Sequence, residues 1–127
     1  VFLEGKTLIL EPEALLDKAV TKLDDLKAVD IKVVDVRGKT PLTDYLIIAS
    51  GTSTRHLKAL ANGVGMMAKE VDHDTVNIEG DGDSEWVLVD LADVIVHLFL
   101  PRTREFYNLE KLWMLDAPAS SDVQHGA

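Results

Sequence analysis

The stretch Glu85–Phe99, EWVLVDLADVIVHLF, sets an indole, a carboxylate and an imidazole among strand-forming aliphatics, at Trp86, Asp90 and His97. A carboxylate beside a histidine is the orienting half of an acid–base site, in which the acid fixes the imidazole tautomer. The sequence places no serine or cysteine nucleophile with this pair, since His56 opens a different element and His125 lies near the end of the chain. Two other stretches carry the residue types of a site. Ser50–His56, SGTSTRH, joins an apolar run to a helix start, where free amides, the helix dipole and Arg55 would receive a phosphate. The full glycine patterns of phosphate loops and dinucleotide folds are missing, and an N-cap by Thr52 or Ser53 accounts for the same residues without a ligand. DGDSEW, from Asp81, begins like a calcium loop, but the places that need Gly and Glu hold Trp86 and Ala92. Turn chemistry explains it better, and the expectation is no metal and no cofactor.

The elements that would position these residues follow from periodicity. Pro12 suits the first turn of a helix. Leu16, Ala19, Val20, Leu23 and Leu26 then recur at helical spacing as far as about Lys27. DIKVVDVRGK is a β-branched run closed by Gly38, and GKTPLTD is a loop. YLIIAS, at 45–50, is apolar enough to be a strand buried on both sides. A helix from about Thr54 to Glu70 carries Leu57, Leu60, Ala61, Val64, Met67, Ala68 and Val71 on one stripe. Gly63 and Gly65 lie off that stripe and weaken the helix by roughly 1 kcal/mol each relative to alanine; the pattern gives no account of them, close packing of another element being one reading. TVNIEG is a short third strand, the opening stretch folds as two more, and PRTREFYNLEKLW is a last helix with Phe106, Leu109 and Trp113 on one side. The order α-β-β-α-β-β-β-α predicts an α/β fold, a mixed sheet of about five strands with helices mainly on one face. Residues 1–12 read as an irregular extension, 13–115 as one domain and 116–127 as a small, polar, disordered tail.

The opening stretch can be read in register. If Leu91 pairs with Val94 across an Ala92-Asp93 turn, then Asp90 faces Ile95, Leu88 faces His97 and Trp86 faces Phe99. Directly opposed residues share a sheet face. One face is therefore Val87, Val89, Leu91, Val94, Val96 and Leu98, wholly aliphatic and suited to lie under helices. The other is Trp86, Leu88, Asp90, Ile95, His97 and Phe99, with Asp81, Asp83 and Glu85 at its edge. An apolar centre with an acidic rim is the anatomy of a protein–protein contact. The competing arrangement has the last helix over this face and His97 hydrogen-bonded inside.

Composition narrows the partner. The chain has 127 residues and a net charge of −9, the wrong sign for neutralising phosphates, so direct sequence-specific nucleic-acid binding is not expected. From Val71 to Pro101 there is no Lys or Arg, a span complementary to a basic partner. There is no cysteine, no apolar run reaches the roughly 18 residues of a membrane span, and VFLEGKTLIL lacks the order of a secretory leader. The expected place is the cytoplasm, away from membranes.

Three stretches, KVVDVRGKTPLTDYLIIASGTSTRHLKALA, IEGDGDSEWVLVDLADVIVHLFLP and REFYNLEKLW, together resemble the ribosomal silencing factor, or Iojap-like, family. The resemblance covers roughly Leu23 to Trp113, and its W-V-L-V-D, D-V-I-V-H, R-E-F-Y and L-E-K-L-W strings are specific in this order. It implies a nucleotidyltransferase-like fold without the enzyme activity. Where an active nucleotidyltransferase carries Asp-x-Asp on a strand, this chain has Asn77 and Glu79, one carboxylate short of a two-metal clamp. The resemblance further implies a partner, large-subunit ribosomal protein fourteen, and a steric action in which the bound factor keeps the small subunit from joining and lowers translation when nutrients are short. The expected partner-contacting residues are Glu79, Trp86, Leu88, Asp90, His97, Phe99 and Tyr107. A nucleotide-binding or phosphoryl-transfer enzyme working at the Gly51 turn is the alternative. A third reading is a homodimer of the free protein, paired through the same patch across a two-fold axis.

Overall fold

The computed structural model describes residues 11–80, 83–109 and 111. Helix α1 (Pro12–Asp25) starts at the expected proline and buries Leu15, Ala19 and Leu23 completely. Leu16, Val20 and Leu26 flank that line rather than centre it. Helical spacing alone leaves Leu15 and Leu16 equivalent; packing on the neighbouring helix and sheet selects Leu15. The helix closes with Lys27 at φ 70° and the Ala28 amide donating to the Leu23 carbonyl at 2.9 Å, a terminus more often built on glycine.

Strands β1 (Val29–Asp35) and β2 (Tyr45–Ser50) follow, then α2 (Thr54–Glu70), β3 (Asn77–Glu79), β4 (Trp86–Asp90), β5 (Val94–Phe99) and α3 (Pro101–Tyr107). The strands form one sheet in the order β1-β2-β5-β4-β3, with β2 and β5 parallel and every other pair antiparallel. This is the mixed five-strand α/β architecture expected. All six residues of β2 are buried, as its unbroken apolar run requires of a strand covered on both faces.

Helices α1 and α2 cover one face. Their apolar stripes meet Tyr45, Ile47, Ala49 and the aliphatic side of the β4–β5 hairpin, Val87, Val89, Leu91, Val94, Val96 and Leu98, in a single core. The two glycines off the α2 stripe have a packing reason. A side chain on Gly63 would run into a methyl of Leu26, the residue that caps α1, and one on Gly65 would sit 3.2 Å from Ile78 Cδ1. The glycines let α1 and β3 approach α2 closely, and that packing offsets the roughly 1 kcal/mol each costs the helix relative to alanine.

The hairpin register agrees pair for pair with the alternation: Trp86 opposes Phe99, Leu88 opposes His97 and Asp90 opposes Ile95. The turn is held by Leu91 N–H to the Val94 carbonyl at 2.9 Å and by Ala92 N–H to Asp90 Oδ1 at 2.8 Å. Ala92 stands there at φ 72°, a left-handed conformation that its Cβ disfavours. Ala92→Gly is accordingly expected to raise stability by about 1 kcal/mol, roughly 3–5 °C in Tm, as read by thermal unfolding. An unchanged or lower Tm would show that the turn carries no such strain.

The last helix departs from expectation. It ends at Tyr107 because Asn108 turns left-handed, at φ 50°, as its C-cap. Phe106 consequently points outward and is 80% exposed, whereas Leu109 packs on the opposite sheet face against the cluster of Val34, Val36, Leu46, Ile48 and Phe99. A helix running unbroken would have put Phe106 and Leu109 on one side. Asn tolerates the left-handed region better than most residues, and that local preference broke the stripe. Trp113, the first ten residues, Asp81 and the tail from 116 lie outside the described residues.

Candidate functional site

The second face of the sheet can be followed from the register across four strands, β2, β5, β4 and β3. One row runs Ile48, His97, Leu88, Glu79; the next runs Leu46, Ile95, Asp90, Asn77. Burial falls along both rows. Leu46 and Ile48 are buried, Ile95, His97, Leu88 and Asp90 are half-buried, and Asn77 and Glu79 are exposed. The face is therefore covered at β2 and open at its β4–β3 side.

At the covered margin the aromatics form a stack. The Trp86 ring lies 4.9 Å from Phe99 and 4.7 Å from Tyr107, centroid to centroid, and its Nε1–H donates to His97 Nδ1 at 3.1 Å. That bond requires a neutral imidazole with its proton on Nε2. Burial pushes the His97 pKa down from 6.5 to about 4, which keeps the ring neutral near pH 7. Trp86 thus presents one part of its indole to solvent while the rest is fixed by Phe99, Tyr107 and His97.

The seven expected contact residues divide. Glu79, Trp86, Leu88, Asp90 and His97 share one face, and Tyr107 joins them from α3, 49% exposed. Phe99 is corrected: at 0% exposure it supports Trp86 from beneath and offers a partner nothing to touch. The alternation rule assigns Phe99 to the right face, but only the cover supplied by β1, β2 and the segment around Leu109 determines that its end of the face is closed. Asp90 spends Oδ1 on the turn, and His97 Nδ1 accepts the hydrogen bond from the indole N–H, so the two do not form an acid–imidazole couple through that nitrogen. The competing arrangement is correct in one part, since His97 does hydrogen-bond within the protein.

Glu85 and Arg104 hold α3 against this face. Glu85, expected in an acidic rim, accepts from Arg102 Nη2 at 2.8 Å and Thr103 Oγ1 at 2.7 Å, while its carbonyl accepts the Leu100 amide at 3.1 Å. The Arg102 and Thr103 bonds hold its carboxyl below the usual range. Arg104, buried at 7% exposure, donates from Nη1 to Ser50 Oγ at 2.9 Å and lies 3.7 Å from Asp30. A cation inside the motif R-E-F-Y reads from sequence as a surface charge; what buries it is the end of β2, more than fifty residues away.

The Gly51 turn is built as a cap. Ser53 Oγ accepts the His56 amide at 3.0 Å, the Thr52 amide donates to His56 Nδ1 at 2.9 Å, and the Gly51 amide donates to the Phe99 carbonyl at 3.0 Å. His56 Nε2 in turn donates to the Leu26 carbonyl at 2.9 Å, tying α1 to α2. Three amides of this turn, those of Gly51, Thr52 and His56, are thus engaged within the chain. Asn77 and Glu79 stand exposed on β3, and among the described residues no three of His, Cys, Asp and Glu are grouped as metal ligands. No described helix is long and apolar enough to cross a membrane.

Comparisons with known proteins agree with one another. The family model described as ribosomal silencing factor during starvation matches residues 10–126. The chain is 39% identical over 117 residues to the ribosomal silencing factor RsfS of Zymomonas mobilis, covering 89% of this chain and 88% of that one. It is 43% identical over 103 residues to the mouse protein named mitochondrial assembly of ribosomal large subunit protein 1, covering 79% of this chain and 45% of that one. A crystal structure of a Chromobacterium violaceum protein, 43% identical, superposes with a TM-score of 0.78 over 82% of this chain and 87% of its own.

Proposed function

The chain belongs to the ribosomal silencing factor family, and on that membership we propose that it represses translation by binding the large ribosomal subunit. The partner proposed is large-subunit ribosomal protein fourteen, and the action is steric: the factor occupies the surface that the small subunit would meet. No turnover is involved. The observation that carries the reading is the family match over nearly the whole chain. The geometry supports it with a half-open face on which Trp86 and Tyr107 are preorganised by their neighbours and bordered by exposed Glu79. Aromatic side chains held rigid at a partly desolvated centre are the usual anchors of protein interfaces. The uninterrupted lack of Lys and Arg from Val71 to Pro101 suits the basic character of ribosomal proteins.

Co-sedimentation tests it. The protein is expected to pellet with isolated large subunits and, once bound, to prevent added small subunits from joining. Trp86→Ala is expected to weaken binding by at least about 30-fold, roughly 2 kcal/mol for an interface anchor. Tyr107→Ala, at a more exposed position that contributes less to folding, should weaken it in the same direction. Failure of the unaltered protein to pellet rejects the reading; full binding by both variants moves the contact to another face.

A further inference from the structure

The sheet has two outer strands, and they differ. β1 is irregular: its pairing with β2 shifts between Val29 and Lys32, Asp30 sits at φ 55°, and Asp30 and Lys32 interrupt the edge with charge. Bulges and edge charges of this kind obstruct the addition of another strand. β3 pairs with β4 in unbroken register from Asn77 to Glu79, and among the described residues it has a strand neighbour on one side only. All three of its residues are exposed.

We infer that the free edge of β3 receives an extended, basic segment of the partner by strand addition, an inference that rests on the ribosome-binding reading above. Three observations carry it. First, the main-chain groups of an outer strand that point away from its neighbour are unused within the sheet and are a template for pairing. Second, the side chains beside the edge differ between the faces. On the helix side Ile78, 41% exposed and lying over Gly65 of α2, leaves an apolar step; on the other side Glu79 is exposed in the same row as Leu88 and His97. A strand laid along β3 would alternate accordingly, with an apolar residue toward Ile78 and a cationic residue toward Glu79. Third, the surroundings are acidic. Asp72, Asp74 and Asp83 are exposed, and no Lys or Arg occurs from Val71 to Pro101. The edge borders the open side of the docking face, so one partner would contact both without a gap. Three residues offer few main-chain bonds, which is why the apolar step and the charge complementarity must contribute to holding the segment.

Amide hydrogen exchange of the full chain, alone and with isolated large ribosomal subunits, tests this. The amides of residues 77–79 are expected to exchange about tenfold or more slowly in the complex. A doubly substituted Ile78→Lys, Glu79→Lys protein, altered only at exposed positions, is expected to bind about tenfold or more weakly while its Tm stays within a few degrees. A complex that forms with unchanged exchange at 77–79 overturns the strand addition and leaves the ribosome-binding reading standing. Absence of any complex overturns both. Protection at 77–79 in the protein alone that grows with its concentration assigns the edge to a second copy and overturns the inference.

Discussion

Phe99→Ala is expected to destabilise the protein by about 3–5 kcal/mol, the range for deleting a large side chain from a filled interior. Phe99 has no exposed surface and packs with Val34, Val36, Leu46 and Ile48, with Trp86 and Leu109 against the same cluster. Removing its ring leaves a cavity between two strands and the segment after α3, none of which can close it without moving Trp86. The loss is a large share of the total stability of a protein this size and corresponds to roughly 10–20 °C in Tm. Urea unfolding of Phe99→Ala beside Phe99→Leu measures it, with leucine expected to recover more than half of the loss. A loss below about 1 kcal/mol for the alanine variant would show that the cluster is not packed as described. The same pair separates support from contact. A partner has no access to Phe99, so Phe99→Leu should bind large subunits nearly as well as the unaltered protein while Trp86→Ala does not.

Acid is expected to weaken the fold through His97. Buried, the imidazole has a pKa of about 4 against 6.5 for the free side chain. Between those values the unfolded chain binds a proton that the folded one refuses, so stability rises with pH across this window. The contribution is fully present above pH 6.5 and is lost progressively as pH falls toward 4, amounting to about 3 kcal/mol in all. The hydrogen bond gives the same sign independently, because His97 Nδ1 cannot accept from Trp86 once it carries a proton. Other groups titrate in this range, so the measurement is a difference. The urea midpoint is followed from pH 7 to 4 for the unaltered protein and for His97→Asn, whose amide oxygen replaces the Nδ1 acceptor without titrating. The slope should be shallower in His97→Asn; equal slopes would mean that His97 is not protected from protonation.

Much of the fold is visible in local patterns. Pro12 marks α1, Ser53 caps α2, and the apolar run Tyr45–Ser50 announces a strand covered on both sides, because each signal depends only on residues close in the chain. The hairpin register is equally local: alternation with period two and a short turn leave Trp86 opposite Phe99 and Leu88 opposite His97. The candidate site was legible to the same extent, since those rules place Trp86, Leu88, Asp90 and His97 on one face. They do not rank them. Asp90 shares that face yet holds the turn, and Glu85 stands at its edge yet is paired with Arg102 and Thr103.

The sequence by itself therefore determined the elements, the two faces of the hairpin and the family, through the order of W-V-L-V-D, D-V-I-V-H and R-E-F-Y. The tertiary structure alone decided which part of the mixed face is open. Phe99 is packed among residues of β1, β2 and the segment at Leu109, while Leu88 and Glu79 lie toward the β3 edge, which no other described strand pairs. Which face a side chain points to is set by the backbone repeat of its own strand. Whether that face meets water is set by elements that arrive from elsewhere in the chain, and their approach depends on close contacts, such as Gly63 against Leu26 and Arg104 against Ser50, that no local period encodes.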